Sequence, residues 1–302
     1  MKTAEAIAKL RTVAASATGV DQRVDCYRAR RGGRDGTVAG FAIITACRQM
    51  TALVRLSLLE LWRRNEIVGL LILALAVMVP LSFAKPFGAA GATRYLDEVA
   101  LLLIWGFSLF IALGTGARLF PPEFESRTIL TLRAKPISLG RLVLGKYLGA
   151  LVASSSAVLF FYALFVLSVR LRGGGWISVD LVQAMVLHLG FVALAVALSL
   201  LGSLVVTNSA NLTLNGILLV AMFFFGRRLL VFADGASFAV GWITRVVYAI
   251  APHAEFFDMR QRVIHGWGAV DGAVLAAVIG YAAVYVTVVL VVARWALIRR
   301  KA

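Results

Sequence analysis

Six long stretches of this chain carry almost no charge, and nothing else restricts its fold as much. They run roughly over residues 67–83, 99–120, 147–169, 181–206, 212–232 and 273–297. A bilayer hydrocarbon core about 30 Å thick needs about 20 residues of helix at about 1.5 Å each. The chain is 61% hydrophobic and 15% charged, whereas a soluble domain averages about 45–50% apolar and about 25% charged. The reading is an all-α integral membrane protein with six transmembrane helices. The fifth stretch is interrupted by Arg227 and Arg228 after Leu212–Phe225. It is expected either to end early, with both arginines snorkelling, or to be partly re-entrant.

The 31 Lys and Arg against 15 Asp and Glu would suggest nucleic acid in a soluble protein. Their distribution suggests orientation instead. The segment before the first span carries 12 basic residues, the loop Arg118–Lys146 carries 6 and the tail from Arg294 carries 4, against 9 on the other side. Basic residues concentrate in cytoplasmic segments, so both termini are expected in the cytoplasm. The net charge of +16 then divides into about +14 inside and +2 outside by the same rule. It is a topological signal in contact with membrane lipids, with no nucleic-acid partner.

Residues 1–49 lack a long apolar block and hold the basic stretch Cys26–Asp35; they are expected to form a flexible extension dispensable for function. Ile44-Thr-Ala-Cys47 resembles a lipoprotein cleavage box. Lipidation at Cys47 would, however, place Arg55, Arg63 and Arg64 outside, against the charge bias. From Thr51 to Asn65, Val54, Leu58, Leu61 and Trp62 share one helical face while Ser57, Glu60, Arg63 and Arg64 point away. This is expected to be a surface helix on the inner leaflet, opening a membrane domain over residues 50–302. Cys26 and Cys47 form no CxxC, and no outer loop holds a cysteine.

The most patterned stretch outside the spans is Arg118–Tyr147. Pro122 suits a first helical turn, Glu123 and Glu125 complement its N-terminal dipole, and Arg133 and Lys135 its C-terminal end. Pro136 stops it, giving an expected cytoplasmic helix over roughly 122–134. Ser138 is placed to cap a second helix running through Arg141 and Lys146 into the third span. Composition alone leaves two roles for the first helix: docking a soluble partner, or lying on the membrane without one.

The residues Glu123-x-Glu125-x-Arg127-Thr128-Ile129, then Lys135-Pro136-Ile137-Ser138-x-x-Arg141, then Gly145-Lys146, resemble the inner-loop signature of type-2 ATP-binding-cassette (ABC-2) permeases. The similarity is strongest to the branch containing the permease of nitrous-oxide-reductase maturation and related exporters. The outer segment Ala251–Asp258 is similar to that family's Pro-x-x-x-Phe-x-Asp element. The resemblance covers about residues 50–302 and implies a multi-pass permease of the bacterial cytoplasmic membrane, pumping outward as a homodimer. It further implies that a separate cytoplasmic ABC ATPase binds ATP and Mg, this chain holding no cofactor and no catalytic residue. Glu123, Glu125, Arg127 and Thr128 would then anchor or dock a coupling helix that Pro136 ends, and Arg141 and Lys146 would fix its return into the membrane. The 49-residue leader departs from the family pattern.

Gly140-Arg-Leu-Val-Leu-Gly145-Lys146-Tyr147 fits G-x-x-x-x-G-K but has Tyr where a phosphate loop needs Ser or Thr, and no strand precedes it. Nucleotide binding is therefore expected on the partner. Asp180 and His188 lie two turns apart and are weak candidates for substrate contact; the simpler expectation is that Asp180 caps the fourth span and His188 packs. His253, Glu255, Asp258 and His265 are metal-capable, but their irregular spacing favours a structural role and no metal. Ser154–Ser156 and Gly190 are expected at close helix contacts, and Asn208, Asn211 and Asn215 at the turn between spans four and five. The competing functional reading is a secondary transporter or membrane-embedded enzyme that needs no ATPase.

Overall fold

A computed structural model describes residues 92–125, 138–173 and 177–299, with scattered residues between 51 and 80. The expected extension 1–49 lies outside the described residues, as does most of the expected surface helix and first span. Thr51, Val54 and Arg55 are helical, as are Gly69, Ile72, Leu73 and several residues up to Pro80. Among the described residues there is no strand.

Among the described residues, five helices are long and apolar enough to cross a membrane: α1 (Ala92–Ala117), α3 (Leu139–Leu171), α4 (Val179–Val205), α5 (Asn208–Gly235) and α8 (Gly272–Arg299). The short α2 (Pro121–Glu125) lies between α1 and α3, and α6 (Phe238–Ile250) and α7 (Arg260–His265) lie between α5 and α8. These spanning helices match the second to sixth apolar stretches. At about 1.5 Å per residue, a 27-residue helix is about 40 Å long, so each crosses about 30 Å of hydrocarbon with turns to spare. Their alternating direction gives the bundle a Pro121 end and a Val179 end.

Arg227 and Arg228 do not interrupt the fifth span. The 28-residue α5 passes through both. Arginine is a good helix former, and both side chains are exposed on the helix surface, so the backbone ladder is undisturbed. In α3, one helix of 33 residues, Ser138 occupies the N-cap position in an extended conformation, but its side chain makes no capping bond.

α4 is the central helix. Phe191, Val192, Leu194, Ala195, Val196, Ala197 and Leu200 are fully buried by packing against α1, α3, α5 and α8. Small residues let the neighbours approach. A Cβ on Gly116 of α1 would lie 2.6 Å from Ser199 Cβ, and one on Gly190 would lie 3.1 Å from the Phe257 ring. Buried hydroxyls tie the same contacts: Thr115 Oγ1 and Ser154 Oγ are 2.9 Å apart, and Ser199 Oγ donates to the Leu113 carbonyl at 2.7 Å. Ser156, by contrast, is exposed and bonds within its own helix.

The asparagines act differently from expectation. Only Val206 and Thr207 link α4 to α5, and Asn211 bonds across helices instead of serving that turn. Its Nδ2 donates to the Ser199 carbonyl of α4 at 2.8 Å, and Asn215 Nδ2 donates to Asn211 Oδ1. Because α5 begins at Asn208, Asn211 faces α4 where Gly202 leaves room: a Cβ there would overlap the Asn211 amide.

Between α5 and α8 the chain turns back into the bundle. α6 runs down beside α5, with Gly241 close enough that a Cβ would lie 2.6 Å from the Ala233 carbonyl oxygen. Arg245 pairs with Asp234 at 2.7 Å across this hairpin. The lowest part is the 3-10 turn Ala254–Phe257, after which α7 packs against α1. Tyr285 Oη donates to the Ile250 carbonyl at 3.1 Å, and His253 N donates to Tyr281 Oη at 3.0 Å. These partners lie well below the helix ends. Gly272 to Tyr281, Gly235 to Gly226 and Val179 to Gly190 correspond to about 14–17 Å of helix rise. The connection between α5 and α8 thus re-enters the bundle, and Ala251–Asp258 is its largely buried tip. The α8 hydroxyls satisfy two backbone groups of this connection.

Candidate functional site

The stretch from α1 to α3 turns on one lysine. α1 ends at Ala117, and Phe120 leads into α2, whose prolines 121 and 122 sit where a helix does not use their missing N–H groups. Glu123 lies in the first turn of α2, its N–H donating to the Phe120 carbonyl at 3.0 Å. Lys146, two turns into α3, is only 5% exposed. Its Nζ lies 2.7 Å from Glu123 Oε1, donates to the Leu119 carbonyl at 2.5 Å, and stands 5.2 Å from the centroid of the Phe120 ring. An ammonium offers three donors and an attraction for an aromatic face, so one side chain grips the end of α1 and the base of α2.

The other expected loop residues are distributed around this clamp. Glu125 is the last residue of α2. Arg127, Thr128 and Pro136 lie outside the described residues. Arg141 is exposed on the first turn of α3 and does not join the Lys146 cluster. The Gly140–Tyr147 stretch lies wholly within α3, so its N–H groups serve the helix and form no loop that wraps a phosphate.

Asp180 and His188 are not brought together. Ser178, not Asp180, caps α4, its Oγ accepting from Leu181 N at 3.3 Å. Asp180 sits in the first turn, where a carboxylate complements the helix dipole. His188 is buried, with Ser108 Oγ 2.6 Å from Nε2 and Tyr162 Oη 3.2 Å from Nδ1. Ser108 gives its own proton to the Trp105 carbonyl at 2.8 Å, so it accepts from Nε2–H, while Nδ1 accepts from Tyr162. A neutral imidazole thus completes a closed chain beneath the stacked Trp105 ring.

The four metal-capable residues also separate. His253 Nδ1 lies 3.6 Å from Glu255 Oε1. Asp258 instead holds Arg260 through both oxygens at 3.0 and 3.1 Å, and His265 bonds within α7. Among the described residues no group of three metal-capable side chains gathers. Burial pulls the His253 imidazole below its ordinary range, opposed by the neighbouring Glu255 carboxylate. Sequence reasoning missed what completes this cluster: the Tyr248 hydroxyl donates to Glu255 Oε1 at 3.3 Å, and Gly226 makes room for the carboxylate.

A second feature with no sequence signal is an apolar groove of about 310 Å³ between α1 and α5. Leu102, Trp105, Phe110, Val220, Phe223 and Phe224 line it, and the Arg260 guanidinium lies over Phe223 at 4.8 Å. No periodicity distinguishes these residues from a lipid-facing surface; only the pairing of two helices shapes a groove.

The sequence profile described as ABC-2 family transporter protein matches residues 64–297, which take in α1, α3, α4 and α5 whole and all but the last two residues of α8. The chain belongs to the ABC-2 transporter family. A comparison with curated proteins finds no match. As an ABC-2 protein it is the membrane permease component of an ABC transporter. The Lys146 clamp, the His188 chain, the re-entrant tip and the α1/α5 groove all lie within the matched region.

Proposed function

We propose that this chain is the permease of an ATP-driven exporter in the bacterial cytoplasmic membrane, working as a homodimer with a separate ABC ATPase that holds ATP and Mg. The observation that carries this reading is the Lys146 clamp. A force applied to α2 reaches the end of α1 through the Leu119 carbonyl and α3 through Glu123 and Lys146. In this reading α2 and the residues after it, Glu125, Arg127 and Thr128 up to Pro136, are the element offered to the ATPase. Arg141 and Lys146 fix the return into the membrane.

The bias of basic residues supports a cytoplasmic Pro121 end. The inner-loop signature supports both outward transport and a place beside the permeases of nitrous-oxide-reductase maturation. The α1/α5 groove is proposed to face the second copy, with lipid covering the remaining apolar surface.

The test is reconstitution with a candidate ABC ATPase. Glu125→Lys should release the ATPase, or reduce transport at least tenfold, at an unchanged unfolding temperature. Full transport by preparations containing no ATPase would overturn the proposal in favour of a secondary transporter.

A further inference from the structure

At the Pro121 end of the bundle the last turns of α8 lie against the first turn of α3 and gather cations without a counter-charge. Ala293 and Leu297 are buried and hold the end of α8 on the bundle, while Arg294, Trp295, Ile298 and Arg299 are exposed. The Arg294 stem crosses α3 where Gly140 has no side chain: a Cβ there would lie 3.5 Å from Arg294 Cδ and 3.7 Å from its Nε. Arg141, the next residue of α3, is exposed as well. One turn beyond Trp295, the Arg299 guanidinium lies over the indole, 3.6 Å from the ring centroid. Neither α3 nor α8 contains an acid, and Glu123 at the same end is taken by Lys146. An aromatic face attracts a cation but neutralises none of its charge.

An apolar stripe runs up to these cations. Val284, Val288, Val291, Trp295 and Ile298 recur three or four residues apart on α8 and are all exposed, so they share one side of the helix. Tryptophan favours the level of the lipid headgroups, where its ring is in apolar surroundings and its N–H is wet.

We infer that this end of α3 and α8 binds an anionic phospholipid, with Arg141, Arg294 and Arg299 around its phosphate and its acyl chains along the stripe from Val284 to Ile298. Guanidinium forks match phosphate oxygens, and they give up water more readily than an ammonium does. A free phosphate would use the arginines and leave the stripe without a role. An acidic protein surface would do the same. The bias that orients the chain accounts for basic residues at this end, but not for an exposed apolar stripe that converges on them, nor for a guanidinium held over the tryptophan that closes it.

Quenching of tryptophan fluorescence by brominated lipid, on the full chain in nanodiscs, tests this. Phosphatidylglycerol or phosphatidylcholine, brominated high in the acyl chain, replaces unbrominated phosphatidylcholine stepwise, and the difference between wild type and Trp295→Phe isolates the Trp295 signal. That signal should be half quenched at a mole fraction of phosphatidylglycerol at least about threefold below that of phosphatidylcholine. Arg141→Gln, Arg294→Gln and Arg299→Gln together should bring the two lipids to parity, whereas Arg227→Gln with Arg228→Gln on α5 should leave the preference intact. If the triple variant does not fold, Arg294→Gln alone should at least halve it. Equal quenching by the two lipids in the wild type, or a full preference in the folded arginine variants, would overturn the inference. So would loss of the preference on adding water-soluble glycerol phosphate, beyond the effect of sodium chloride at equal ionic strength, since that would assign the arginines to a free phosphate. The experiment needs neither the ATPase nor an assigned sidedness, so its outcome is independent of the proposed function.

Discussion

Lys146 Nζ and Glu123 Oε1 meet at 2.7 Å across the gap between α3 and the base of α2, with the lysine 6% and the glutamate 18% exposed. The lysine side chain is committed on every side: carboxylate, carbonyl and ring face. Both charges are largely withdrawn from water, so removing one partner is costly while a matched exchange is less so.

Lys146→Gln should destabilise the protein by about 2–4 kcal/mol, because Glu123 loses this ammonium and the Leu119 carbonyl loses its donor. Thermal unfolding in detergent reads the loss directly. With the ATPase present, the variant should still bind it yet transport less substrate per ATP hydrolysed. The exchange Glu123→Lys with Lys146→Glu should recover part of the stability, a coupling that a double-mutant cycle measures.

Gly202 and Gly280 should respond oppositely to alanine. A Cβ on Gly202 collides with the buried Asn211 amide, which already bonds to Ser199 and Asn215, so Gly202→Ala should cost about 1–3 kcal/mol. A Cβ on Gly280, exposed on α8, meets nothing within 4 Å, and a helical alanine there should stabilise by about 0.4–1 kcal/mol. Chemical or thermal unfolding of the two variants side by side checks the sign.

Ser108→Ala should cost about 1–3 kcal/mol, because it removes the acceptor for His188 Nε2–H inside an apolar bundle. His188→Gln, which keeps a donor and an acceptor, should fold with a smaller loss. If His188 only packs, the Gln variant keeps most of its transport once stability is restored by lower temperature; abolished transport in a fully folded variant would assign it a role in the cycle.

A pair of cysteines tests the groove. In a background lacking Cys26 and Cys47, Phe110→Cys or Phe224→Cys, at exposed positions lining the α1/α5 groove, should form disulfide-linked dimers in native membranes. Val284→Cys on the exposed face of α8 should not. Equal cross-linking at both faces would count against the groove as the contact between copies.

Helix positions were readable because a bilayer imposes a length and an apolar composition that local sequence records directly. All five spans within the described residues follow from it, and Pro122 with Glu123 marked the start of α2 from capping preferences alone. The fifth span was harder: two adjacent arginines look like a break on a hydropathy count, but exposed guanidinium groups leave a helical backbone intact. Asp180 was mistaken for a cap because Ser178 and Asp180 are both good cap residues, and only the backbone geometry separates them. Lys146 was legible as a residue at the return into the membrane, but nothing near it in the chain pointed to Glu123, Leu119 and Phe120 as its partners.

The sequence by itself determined that this is a helical membrane protein, where the five spans within the described residues lie, and which loop carries the family's pattern. Those properties depend on composition, periodicity and short-range preference. Tertiary structure alone decided which polar groups meet: Lys146 with Glu123, His188 with Ser108 and Tyr162, Asn211 with Ser199, and Glu255 with His253 in the space left by Gly226. The physical reason is that a buried polar group must find its partner wherever packing brings one. In a bundle of antiparallel helices that partner lies at the same depth on another helix, at a sequence distance that no local pattern encodes.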